Sequence, residues 1–144
     1  MNTTGILDSH MDLHVKGIWN KTAKERNKKN YIVDSHIMTL ATTIARKEDV
    51  EILVDEIPFS LIGKPYEGDT EALIYKVAKD KIIDEKALSW LKSGSHIEGS
   101  VSMQYVKIDL AMNSKDEEDE EEYKNYLLHI DKIANKNDFD IIDF

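Results

Sequence analysis

Apolar and polar residues follow two rhythms along this chain, and they predict two kinds of element. Period-two or continuous apolar runs predict strands at Tyr31 to Leu40, Glu51 to Ile57, Glu71 to Ala78 and Gly99 to Met112. In the second, Ile52-Leu53-Val54 is an unbroken apolar centre. In the third, Leu73, Tyr75 and Val77 alternate with the rest. The fourth changes phase: Val101, Met103 and Tyr105 share one face, and Val106, Ile108 and Leu110 the other. Such a strand should bend or bulge near Tyr105-Val106, and curved strands of this kind close small barrels.

Helical spacing appears twice. Asp84 can cap a helix running to Ser93, with Ala87, Trp90 and Leu91 on one side and Gly94 as the stop. Further on, Ser114 and Glu117 have the spacing of a capping box. Tyr123, Tyr126, Leu127, Ile130, Ile133 and Ala134 then form an apolar stripe, ending near Asn135-Lys136-Asn137. Pro58 and Pro65 bracket a loop, Phe59 to Thr70, whose Gly63 and Gly68 mark turns. Strands and helices without βαβ alternation predict an α+β fold. With 144 residues and no internal repeat or linker, the chain reads as one domain, 1–144.

Composition narrows the chemistry. With no cysteine, a disulfide scaffold, a thiolate zinc site and a cysteine nucleophile are all excluded. The net charge of −9 comes largely from one unbroken acidic run, Asp116 to Glu122, at the start of the second helix, where a helix dipole favours negative charge. The rest is close to neutral, so no nucleic-acid partner is expected. The one basic stretch, Lys21 to Lys29, reads as a solvated helix or loop. No apolar run approaches the ~20 residues that span a bilayer, so no membrane partner is expected.

The chemically interesting side chains are few. Ser100 follows Gly99 at a predicted strand start, and a serine there reacts only with a base and an oxyanion site beside it. Of the five histidines, His36 lies within an apolar segment, as a packed core residue or a base; His96 falls in a Gly/Ser-rich turn and His129 beside the helical stripe. His10, Asp12 and His14 would share one face of a strand, and two imidazoles and a carboxylate are valid zinc or iron ligands. Nothing else completes such a site, so no metal and no cofactor is expected.

Three blocks in order resemble the prohead serine proteases of tailed phages. Asp8 to Trp19 (Asp-Ser-His-Met-Asp-Leu-His-Val-Lys-Gly-Ile-Trp) resembles their first block, roughly Asp-x-x-Gly-Asp-hydrophobic-x-x-x-Gly-x-aromatic. Tyr31 to His36 resembles the apolar segment ending in their catalytic histidine, and Gly99 to Val106 resembles their serine block. The Lys107 to Asn113 segment and acidic helix that follow resemble one subgroup. The resemblance spans residues 8 to about 135. It implies a small, mostly antiparallel β-barrel flanked by helices, similar to the herpesvirus assembly protease. It also implies a serine endopeptidase, with Ser100 as nucleophile and His36 as base, that cuts capsid or scaffolding protein during procapsid maturation. Self-cleavage and homo-oligomerisation are both compatible with it. The implied location is the cytoplasm of an infected bacterium, inside the procapsid.

The departures are specific. Met11 stands where the first block has glycine, Ser102 where the serine block often has one, and Ile37 where many relatives follow the histidine with aspartate. Relatives continue with a further strand block where this sequence stops at Phe144, so the expected barrel lacks its C-terminal strand. The third triad member is left among Asp12, His14, Asp34 and that absent block. The alternative reading keeps the fold without catalysis, as a capsid- or scaffold-binding module contacting its partner through the acidic helix.

Overall fold

A computed structural model describes residues 2–95, 99–141 and 143–144. The chain is α+β, with small antiparallel sheets and, among the described residues, no closed barrel. That corrects the barrel expectation. Its sheets are a three-stranded one, in the order Asn2–Thr3 (β1), Asp69–Val77 (β5), Val50–Pro58 (β4), and a two-stranded one of Ile32–Val33 (β2) with Thr43–Ala45 (β3). Helices cover Asn20–Arg26 (α1), Glu85–Ser93 (α2) and Glu120–His129 (α3).

The contacts group into two compact units. One is built mainly from Trp19–Asp55 and Ala72–Ser102, the other from Thr3–Ile18, Glu56–Glu71 and Met103–Phe144.

The first unit buries Trp19, Ala45, Val50, Ile52, Ala72 and Leu73. Within this unit strand β4 buries alternate positions, Val50 and Ile52 inward and Glu51 outward, and Leu53, in the apolar centre of the pattern, is exposed. Its helix α2 matches its sequence signals at both ends. The Asp84 carboxylate accepts the Ala87 N–H at 2.6 Å, and Gly94 ends the helix with φ 73, returning its N–H to Leu91. The basic helix α1 buries none of its residues, as a solvated helix should.

The second unit is held more by hydrogen bonds. Thr4 and Thr70 exchange bonds: the Thr4 N–H donates to Thr70 Oγ1 at 3.1 Å, and that hydroxyl donates to the Thr4 carbonyl at 2.7 Å. The buried Asn135 amide acts as a strand neighbour for Leu7, accepting its N–H and donating to its carbonyl, both at 2.9 Å. The loop from β4 to β5 opens with a 3-10 turn, Phe59–Ile62, and uses Gly63 and Gly68 at φ 71 and 89. Both angles suit glycine, as the turn reading required.

Two predicted strands are not formed. Tyr31 to Leu40 keeps only β2, whose pairing with β3 shifts register between Ile32 and Val33. The chain then winds into 3-10 turns at Asp34–His36 and Leu40–Thr42, the second fixed by a reciprocal Thr39–Thr42 capping box. Gly99 to Met112 is irregular and, among the described residues, unpaired until its end, where Ala111 and Phe144 exchange backbone bonds and Met112 bridges Asp143. Apolar alternation makes a strand only when a neighbour supplies the ladder, and here Val106 is 96% exposed and Ile108 76%. The second long helix also starts later than expected. Asp116 precedes a 3-10 turn, Glu117–Asp119, Ser114 Oγ accepts the Asp116 N–H at 3.3 Å rather than closing a box with Glu117, and α3 gives way to a 3-10 turn at Ile130–Lys132.

Candidate functional site

The first unit holds both residues of the expected catalytic pair. His36 closes the Asp34–His36 turn, and its backbone is unusual: Ser35 and His36 both lie in the left-handed region, at φ 52 and 58. Two consecutive non-glycine residues there cost about 1–2 kcal/mol each. The turn is fastened by the Ile37 N–H to the Asp34 carbonyl at 3.1 Å and by Ser35 Oγ donating to Asp34 Oδ1 at 2.8 Å. The imidazole is therefore presented on an exposed turn, not packed in a strand core. Ser100 is exposed too, in irregular backbone beyond the stop of α2. No hydrogen bond joins His36 to Ser100 among the described residues. His96 lies outside the described residues.

Asp34 shares the first unit with His36, but its Oδ1 is occupied by Ser35. The other two candidates for a third triad member, Asp12 and His14, belong to the second unit.

There the first block forms a tight turn rather than a strand. Asp8 Oδ1 accepts the N–H groups of His10 at 2.7 Å and Asp12 at 3.0 Å, and the Met11 N–H bonds to the Asp8 carbonyl. Leu7 bridges Leu13, and the Gly5 N–H reaches the His14 carbonyl. Met11 turns left-handed at φ 65, and Gly17 does the same at φ 91. His10 and Asp12 ride an exposed turn while His14 is buried. Among the described residues, no three histidine or acidic side chains are placed to hold a metal. The strand geometry that would align His10, Asp12 and His14 is absent.

Sequence reasoning passed over two residues of the second unit. Tyr105 stacks on His14, ring centres 6.2 Å apart and planes 25° apart, with its hydroxyl 3.5 Å from Asp12 Oδ2. Desolvation and the carboxylates of Asp12 and Asp8 push its phenol pKa upward. The serine block is thus in contact, through Tyr105, with the first block. Glu71 is buried, and its Oε1 accepts the Gly17 N–H at 2.8 Å. Its signal was partial: Glu71 is in phase with Leu73, Tyr75 and Val77, but β5 buries all four positions from Thr70 to Leu73, on both faces. His129 is half-buried, as the sequence suggested, and desolvation followed by the Lys132 charge lowers its pKa.

No helix among the described residues is long and apolar enough to cross a membrane. No family model matches this chain, and neither the curated proteins nor the solved structures contain a significant match to it.

Proposed function

We propose that this chain is a serine endopeptidase of phage head maturation, cutting capsid or scaffolding protein within the procapsid. The observation that carries the reading is the backbone of the first block. The family pattern asks for glycine at the positions of Met11 and Gly17, and both adopt left-handed φ. Glycine enters that region without a Cβ penalty, so the pattern and the turn fit one another. The left-handed Ser35-His36 pair adds support, because strain of this kind clusters at active sites.

In this reading Ser100 Oγ attacks the peptide carbonyl and forms the tetrahedral intermediate. His36 takes the hydroxyl proton and returns it to the leaving amine; water then hydrolyses the acyl-serine by the same base. Backbone N–H groups of the unpaired segment after Ser100 are the oxyanion donors nearest in sequence. Catalytic hydrogen bonds are often long before substrate binds, so the separate His36 and Ser100 side chains are compatible with the mechanism.

One observation favours the second reading, a binding module without catalysis. Among the described residues the serine segment has no sheet partner before Ala111, and it exposes Val106 and Ile108. A nucleophile needs a rigid frame, whereas a docking segment needs free backbone and apolar side chains.

Co-expression with candidate capsid and scaffolding proteins separates the two, wild type beside Ser100→Ala and His36→Ala. Cleavage by the wild type alone establishes the protease and its pair. Cleavage that survives Ser100→Ala removes Ser100 as nucleophile. Stable complex formation without cleavage favours the binding module.

A further inference from the structure

Within the second unit, the stretch after Tyr105 is anchored at both ends and open between them. At one end Tyr105 stacks on His14, with its hydroxyl 3.5 Å from Asp12 Oδ2. At the other, Ala111 exchanges backbone bonds with Phe144 at 2.8 and 2.9 Å, and the Met112 N–H donates to the Glu122 carbonyl at 3.0 Å. The Leu110 carbonyl accepts the Asn125 side-chain amide at 2.9 Å. From Val106 to Asp109, among the described residues, no hydrogen bond reaches a backbone N–H or carbonyl. Val106 is 96% exposed, Ile108 76% and Leu110 48%. Anchored ends lower the ordering cost that a loose segment meets on binding.

The residues Val106-Lys107-Ile108-Asp109-Leu110 also carry a symmetry of their own. In extended backbone Val106, Ile108 and Leu110 share one face, and Lys107 and Asp109 the other. Lys107 Nζ reaches Asp109 Oδ2 at 2.6 Å, which sets these two on one side, and both side chains stay exposed. Turned end for end, the segment keeps its apolar positions and exchanges its two charges. Two copies paired antiparallel about Ile108 therefore set each Lys107 opposite the other copy's Asp109, Val106 opposite Leu110, and Ile108 opposite itself. A parallel pairing in register sets Lys107 against Lys107, and like charges directly opposite are destabilising. A slip by one residue sets Lys107 against Ile108 and breaks the apolar face.

We infer that Val106 to Leu110 is a self-association surface, which pairs antiparallel with the same segment of a second copy of this chain across a two-fold axis at Ile108. The open backbone from Val106 to Asp109 supplies the ladder, the apolar face continues across the axis, and the two charges set direction and register. So short a pairing buries less than the ~1,200 Å² of a standard interface, so the association is weak and concentration-dependent. The inference goes beyond the proteolytic reading and holds whether or not Ser100 is a nucleophile.

Sedimentation velocity of the full chain over a range of concentrations tests it. The wild type is expected to pass from monomer to dimer as concentration rises. Ile108→Lys brings two ammonium groups face to face at the axis and should weaken dimerisation by about tenfold or more. Lys107→Asp and Asp109→Lys each set like charges opposite one another, and each alone should shift the chain toward monomer. Mixed together, these two variants should associate, because the two carboxylates of one then face the two ammonium groups of the other. The double change Lys107→Asp/Asp109→Lys keeps the complementarity and should dimerise as the wild type does. All three positions are exposed, so the substitutions leave the fold in place. A wild type that stays monomeric up to about 1 mM, a dimer indifferent to Ile108→Lys, or single-charge variants that fail to associate when mixed, overturns the inference. Ser100→Ala should dimerise as the wild type does, which keeps this result separate from the fate of the protease reading.

Discussion

The two units are built on different economies of burial. The first has an interior of Trp19, Ala45, Val50, Ile52, Ala72 and Leu73, with no charged side chain among its described buried residues. The second buries Thr4, His14, Thr70, Glu71 and Asn135 beside Leu7, Ile57, Phe59, Ala111 and Ile133. An apolar core is held by area and shape, and tolerates small shifts. A hydrogen-bonded core is held by pairings that each have one correct partner, so it specifies geometry more sharply and fails more abruptly when a partner is removed. The second unit contains the first block up to Ile18, whose turn is set by such pairings.

Substitutions can break this contrast in order of size. Leu73→Ala, at a fully buried position of the first unit, should cost about 3 kcal/mol in urea unfolding, through lost transfer energy and the cavity left behind. Its amide-exchange signature should concentrate in residues 19–55 and 72–102. Asn135→Ala removes little volume yet strands the Leu7 N–H and carbonyl. A loss of about 2 kcal/mol is expected, with faster exchange concentrated in the second unit. If Asn135→Ala costs only a few tenths of a kcal/mol, the hydrogen-bonded core is not what holds that unit.

A third change runs the other way. Met11→Gly should raise stability, by about 1 kcal/mol at most, because the left-handed penalty disappears while the unfolded chain gains entropy. A thermal melt below that of the wild type would mean that Met11 packs more than it strains. The smallest effect concerns pH. His129 has a folded pKa below its ordinary value of 6.5, so the unfolded chain binds a proton more readily. Its contribution is fully present above 6.5 and declines as pH falls through that value toward the folded pKa. His129→Gln should flatten this part of the stability profile, which denaturant midpoints between neutral and mildly acidic pH would reveal.

Local signals were legible where one short stretch carried all the information. The Asp84 cap, the Gly94 stop and the strands around Ile52 and Leu73 are of this kind. Gly99 to Met112 shows the limit: its alternation is that of a strand, but a ladder depends on a neighbour that the segment itself does not encode. The left-handed turn at Ser35-His36 was hidden for another reason. Ser35 is not a type that favours the left-handed region and histidine is only several-fold enriched there, so the sequence carried little to mark the change from strand to turn. The site was legible as candidate residues only. Spacing placed His10, Asp12 and His14 together, and the Asp8 turn with Met11 at φ 65 undid that alignment.

The Asn135–Leu7 pairing also sets a clock. Its partners stand 128 residues apart in sequence. Chains emerge at about 5–20 residues per second, so Leu7 waits roughly 6–26 s for its partner during synthesis. Through that interval the second unit must remain open at this point, with its N-terminal segment available to proteases and other chains. Closure then comes as a late, long-range step, and folding of this unit should be slower than its size alone suggests.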